Sequence, residues 1–79
     1  MGVNDGMIIT DGIHLTSTES EEELHAFASK IGLKKEWYQC HPDHPHYDLT
    51  TSRAMKRAVY AGAKGVTGVF LFKNSWWAK

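Results

Sequence analysis

HPHYDLTTSRAMKRAVYAG, residues 44–62, reads as an extended run, a helix start, a helix and a stop, and each part has its own physical cause. Pro45 lacks a backbone donor and pushes His44 towards extended conformations, so no helix begins there. His46, Tyr47, Asp48 and Leu49 then form a short strand. Alternation puts His46 and Asp48 on one face, about 7 Å apart, and Tyr47 on the other. Thr50, Thr51 or Ser52 offers a hydroxyl to cap a helix predicted through about Ala61, with Gly62 as its stop. Ala54, Met55, Ala58 and Val59 make the buried side of that helix. Arg53, Lys56, Arg57 and Tyr60 repeat the same spacing on the exposed side, which is basic with one aromatic. A strand feeding an amphipathic helix points to an α/β layer.

The flanking sequence extends the pattern. Met7-Ile8-Ile9-Thr10 is an apolar run closed by Asp11-Gly12, which suits a buried strand entering a turn, and Ile13-His14-Leu15 continues as a second extended piece. Thr18 with Glu21, or Ser20 with Glu23, makes a capping box for a helix starting near residue 20. Leu24, Phe27, Ala28 and Ile31 form its buried stripe, and Gly32 caps its end. Glu36-Trp37-Tyr38-Gln39 reads as a strand and the HPDHP segment as a loop. Beyond the second helix, Lys64–Thr67 and Val69–Phe72 are β-prone runs split by Gly68. Trp76 and Trp77 point to different faces, leaving one exposed. The expectation is a single small α/β domain over residues 7–79 behind a loose leader of residues 1–6, with about three to five strands and two helices.

At 79 residues the chain suffices for one core and not for a deep internal cavity. Cys40 is the only cysteine, which excludes an intrachain disulfide and a four-cysteine zinc site and fits a reducing compartment. No apolar stretch approaches the roughly 20 residues that span a bilayer, so a cytoplasmic location is expected. Net charge is zero, yet residues 1–32 carry six acids against Lys30 alone, while residues 33–79 carry eight bases against Glu36, Asp43 and Asp48. That polarity suits an anionic ligand at the second half; mutual satisfaction of the two halves across a surface explains it equally well.

Three groups of residues carry chemistry. His41, His44 and His46, with Asp43, Asp48 or Cys40, supply ligand types that zinc accepts, although the spacing matches no familiar closed site and solvated loop histidines are the plainer account. His46 and Asp48 share a strand face just ahead of a helix start, where Thr50, Thr51 and Arg53 offer donors to a phosphate or carboxylate. The alternative is that Asp48 only caps the helix and His46 packs at a strand end. Asp11 and His14 follow the first strand, where ligands gather in open α/β sheets; Asp11 is equally read as a turn residue beside Gly12. His25, on the flank of the first helix, reads as a structural histidine.

DGIHL at 11–15, ELHAFASKIGL at 23–33, and HPHYDLTTSR at 44–53 followed by AVYAGAKGV together resemble the domain of unknown function 4031 family of bacteria and bacteriophages, over about residues 7–67. The resemblance implies a shared signature at Asp11, His14, His25, His46, Tyr47 and Asp48, and it implies no activity. His41 and His44 fall outside that signature, which counts against a metal held by all three loop histidines. Relatives continue into a helix start where this chain has Thr67-Gly68-Val69-Phe70-Leu71-Phe72. Here an aromatic strand is expected instead, covering a sheet edge or pairing two subunits.

The function expected is a small cytoplasmic, phage-encoded module that binds a phosphorylated small molecule or nucleotide. His14, His46 and Asp48 would carry the chemistry, and Asp11, Tyr47, Thr50 and Arg53 the ligand, with no metal or cofactor assigned. A hydrolase or phosphodiesterase using His14 and His46 as acid and base, with or without metal, is the second reading. A protein- or nucleic-acid-interaction module using Arg53, Lys56, Arg57 and the terminal tryptophans is the third.

Overall fold

Strand β1 (Ile8–Thr10) turns at Asp11-Gly12, where Gly12 has φ +97°, and returns as the antiparallel strand β2 (His14–Ser17) with Ile8 opposite Ser17 and Thr10 opposite Leu15. The computed structural model describes residues 6–40 and 42–78, so most of the expected leader, and His41, lie outside the described residues. Helix α1 (Glu21–Lys30) starts at Ser20, whose Oγ accepts the Glu23 N–H at 3.1 Å. The capping box is only half formed, because the Glu23 carboxylate accepts from the Ser17 hydroxyl instead of reaching back. Gly32, at φ +81°, ends the helix: its N–H reaches the Ser29 carbonyl at 3.1 Å and the Leu33 N–H reaches that of Ala28 at 2.9 Å.

A single 3₁₀ turn, Lys35–Trp37, replaces the front of the strand expected over 36–39 and leaves only β3 (Tyr38–Gln39) extended. Strand β4 (His46–Asp48) pairs with β3 and β2, and Thr51 caps helix α2 (Ser52–Tyr60) by accepting the Ala54 N–H at 3.1 Å. Gly62 stops α2 at φ +116°. Strand β5 (Lys64–Gly65) runs parallel to β1, completing a mixed sheet in the order β3-β4-β2-β1-β5.

Each face of the sheet has its own cover. Directly paired residues share a face. Ile8, Leu15 and Tyr47 pack with Leu24 and Ala28 of α1 and Ala54 and Ala58 of α2 in the main core. Burying Leu15 or Leu24, both fully enclosed, contributes about 1.5–3 kcal/mol each. Alternation puts Ile9, Thr16 and His14 on the other face.

Residues expected as an aromatic strand form helix α3 (Gly68–Asn74), which packs on β1. The β-branched and aromatic run is overridden by local bonding. Thr67 caps the helix by accepting the Phe70 N–H at 3.1 Å, and the Ser75 hydroxyl donates to the Leu71 carbonyl at 2.7 Å. The free edge of β1 is already taken by β5, and a helix lets Leu71 bury itself completely. The chain thus has three helices where two were expected. Both terminal tryptophans are half-buried in a 3₁₀ turn, Trp76–Ala78, so neither is the exposed ring that strict alternation suggested. Val59, expected inside, is 50% exposed, and α2 turns Ala54 and Ala58 to the core instead. Among the described residues no helix is long and apolar enough to cross a membrane.

Thr16 Oγ1 is, among the described residues, the one buried side-chain oxygen or nitrogen with no hydrogen-bond partner. An unpaired buried hydroxyl costs about 1–3 kcal/mol. Thr16→Val, of the same shape, is expected to raise the unfolding free energy by about 1 kcal/mol in urea denaturation; a loss of stability would mean that the hydroxyl has a partner in solution.

Candidate functional site

The pairing of β2 with β4 sets His14 opposite Asp48 and Leu15 opposite Tyr47. Leu15 and Tyr47 point into the main core, so His14 and Asp48 stand together on the opposite face, joined by His46 two residues from Asp48. The rings of His14 and His46 meet edge to face at a centroid distance of 4.7 Å. One ligating atom from each of His14, His46 and Asp48 lies within 4.8 Å of the others.

Hydrogen bonds fix which nitrogen each histidine presents. His46 Nδ1 lies 2.7 Å from the His44 carbonyl oxygen, which only accepts, so Nδ1 carries the hydrogen. His46 Nε2 is then aimed at Asp48 Oδ1, 3.1 Å away. His14 Nδ1 donates in the same way to Asp11 Oδ2 at 2.9 Å, leaving its far nitrogen for the site. Asp11 Oδ1 accepts the N–H groups of Ile13 at 2.9 Å and His14 at 2.7 Å. Asp11 is thus both the turn residue and the group that orients the ring. Burial alone pushes the Asp11 carboxyl up; the hydrogen bonds from His14 and Ile13 outweigh it and hold the group below its ordinary 3.8. His46 is nearly enclosed, whereas the Asp48 side chain is 35% exposed and free to adjust.

Asp11, His14, His46 and Asp48 therefore converge, as the strand alternation and the turn suggested. Tyr47, Thr50 and Arg53 do not join them. Tyr47 is buried on the α1 side, its hydroxyl 2.8 Å from His25 Nδ1. Thr50 is exposed, and Arg53 lines a shallow depression with Trp37, Leu33 and Gly32. His44, outside the signature, stacks parallel to His46 at 5.8 Å.

A second polar group had been passed over. Tyr38 donates to Glu21 at 2.6 Å, and the rings of Tyr38 and Tyr47 lie 4.5 Å and 5.6 Å from that of His25. Burial raises the pKa of both phenols, and for Tyr38 the Glu21 carboxylate raises it further. The signal lay in the i, i+4 spacing of Glu21 and His25, which puts both on one flank of α1. What the spacing lacked was a partner, which only the sheet supplies.

A family model described as Protein of unknown function (DUF4031) matches residues 6–74. The chain belongs to that family. The match extends through α3, so the helix that the sequence seemed to replace by a strand is present as a helix. No curated protein and no solved structure matches the chain. In this member of the family, the six residues Asp11, His14, His25, His46, Tyr47 and Asp48 divide between the two faces of one sheet.

Two measurements check this division. Tyr47→Phe removes only the hydroxyl bonded to His25, so it is expected to cost about 1 kcal/mol in urea denaturation and leave ligand binding at the His14 face unchanged; an equal loss of binding would put Tyr47 in the site. Because the Asp11 carboxyl sits below its ordinary 3.8, its stabilising effect is complete above that pH and disappears as pH falls through the lower folded value. In chelator-treated protein, the stability gap between wild type and Asp11→Asn is expected to close in acid below 3.8. A gap that widened there would reverse the assignment.

Proposed function

We propose that this chain is a small metal-dependent phosphohydrolase: His14, His46 and Asp48 hold one divalent transition-metal ion, through which a phosphorylated small molecule is bound and cleaved. The observation that carries the reading is the pair His46 Nε2 and Asp48 Oδ1, 3.1 Å apart, with the hydrogen of His46 committed to the His44 carbonyl. With the ring neutral, a lone pair faces a carboxylate, an arrangement that is repulsive until a proton or a metal ion lies between them. The far nitrogen of His14 completes a set of two imidazoles and one carboxylate, which zinc and ferrous iron accept with positions left open. Asp11 and the His44 carbonyl hold the two rings from behind, as outer partners of metal-bound histidines do.

Anion binding without a metal is the weaker account. The site presents two carboxylates, which repel phosphate, and Arg53 stands elsewhere. Histidines that hold an ion are also not free to act as the acid and base pair. An ion held by His14, His46 and Asp48 would supply an acidified water as nucleophile and polarise a phosphoryl oxygen. In the reaction the water oxygen bonds to phosphorus, the ester P–O bond breaks, and the leaving oxygen takes a proton. The chain's own residues set the geometry: the β2–β4 pairing aligns the ligands, and half-burial keeps bulk water to one side.

The test is metal binding followed by turnover. Chelator-stripped protein is titrated calorimetrically with zinc, manganese and, without oxygen, ferrous iron, and turnover is assayed on bis(p-nitrophenyl) phosphate and p-nitrophenyl phosphate. About one ion per chain is expected, abolished in His46→Ala and Asp48→Ala and weakened roughly 10–100-fold in Asp11→Asn, with hydrolysis following occupancy. A wild-type chain that binds none of the three ions would overturn the reading.

A further inference from the structure

Beside the metal ligands, Asp43, His44, Phe72 and Trp77 line an open cleft of about 320 Å³, at the small end of the range that holds small molecules. Three of its walls are aromatic. The His44 ring lies 5.8 Å from Phe72 and 6.2 Å from Trp77, and Phe72 lies 5.8 Å from Trp77, each pair tilted or edge-on, so the three rings gather around one space without stacking on one another. Phe72 remains 42% exposed although α3 buries Leu71 completely. That exposure costs the fold apolar burial and leaves the ring available for a ligand. The Trp77 indole N–H donates to the Pro45 carbonyl at 2.8 Å, which ties the C-terminal turn to the proline loop and fixes this wall in place.

The walls of the cleft adjoin the histidines assigned to the metal. Phe72 lies 5.6 Å from the His14 ring, and His44 stacks on His46 with their planes within 9°. A group held at the ion therefore has these aromatic surfaces directly beside it. Among the described residues, Asp43 is the one carboxylate lining the cleft. A carboxylate there repels a second phosphate and accepts N–H groups.

We propose that this cleft is the base subsite of the enzyme, and that the substrate is a nucleotide whose phosphate reaches the metal while its base lies among Phe72, His44 and Trp77, stacked on one ring and edge-on to the others. This rests on the metal reading above. Asp43 favours bases that carry an exocyclic amino group, as adenine, guanine and cytosine do; uracil offers only its N3–H, flanked by two carbonyl oxygens that a carboxylate repels. Stacking on aromatic rings is tolerant of base identity, so Asp43 is the residue that discriminates.

The test separates cleft from metal. Binding of adenosine, guanosine, cytidine and uridine monophosphates and of ribose 5-phosphate is measured calorimetrically on metal-loaded protein. Quenching of tryptophan fluorescence by the free nucleosides is measured on chelator-treated protein. Nucleotides are expected to bind at least about tenfold more tightly than ribose 5-phosphate, with the advantage lost in Phe72→Ala and Trp77→Ala while metal stoichiometry stays at wild-type level. Asp43→Asn, at an exposed loop position, is expected to fold normally and to lose the preference for amino-bearing bases over uracil. Nucleoside quenching without metal binding would retain the subsite and remove only the hydrolase reading. Equal affinity for ribose 5-phosphate and the nucleotides, or an advantage that survives both aromatic substitutions, would overturn the proposal.

Discussion

The pairing of β2 with β4 is the constraint on which the remainder of the structure depends. With His14 opposite Asp48 and Leu15 opposite Tyr47, one register delivers two core side chains to one face and His14, His46 and Asp48 to the other. Side chains alternate strictly, so a slip of β4 by one residue would turn His46 and Asp48 beneath the helices and expose Tyr47. Burying two unpaired ionisable groups is far more costly than losing a few ladder hydrogen bonds. The register is thus enforced by the hydrophobic core, and the geometry of the site follows from it. The Leu49 N–H bond to the Ile13 carbonyl, at 2.8 Å, extends the same pairing one step beyond the strand ends.

The two faces have separate tasks joined through single residues. On the core side, Tyr47 fills space and reaches His25, anchoring α1 over the middle of the sheet. On the other side, the neighbours of Tyr47 in sequence, His46 and Asp48, meet His14. A substitution at Tyr47 therefore acts on the site only through the position of β4. The side holding His14 is covered unevenly. Helix α3 packs on β1 with Leu71 fully buried, while Phe72 and Trp77 border the histidines without enclosing them. A chain of 79 residues has little material for a deep cavity, and its aromatic cleft lies open, lined by Asp43, His44, Phe72 and Trp77.

Local chemistry in the sequence determined much of the fold. Helix α2 and its neighbours were legible because each cue acts within a few residues: Thr51 caps, Gly62 accepts φ +116°, and Pro45 excludes a helix. Helix α1 was legible for the same reason, as was the placement of His46 and Asp48 on one strand face. The turn at Asp11 and the HYD strand marked four of the residues that converge. Val69–Phe72 misled because its β propensity describes an average pleated surface, whereas here β5 had already taken the edge and the open face needed a helix to bury Leu71.

Tertiary structure alone decided which residues meet. Nothing local tells that β2 lies beside β4, so the meeting of His14 with Asp48, and of Tyr47 with His25, across intervals of more than twenty residues had to come from the sheet order. The same order separated Arg53 and Thr50 from the histidines, because the chain crosses to the α2 side immediately after Leu49. It also brought Trp77 to the proline loop beside His44. The sequence by itself determined the elements and the kinds of chemistry available, since caps, turns and alternation are short-range. Only the sheet register and the packing of its two covers decided which of those groups form a site, because contact between distant segments is set by burial of the whole core.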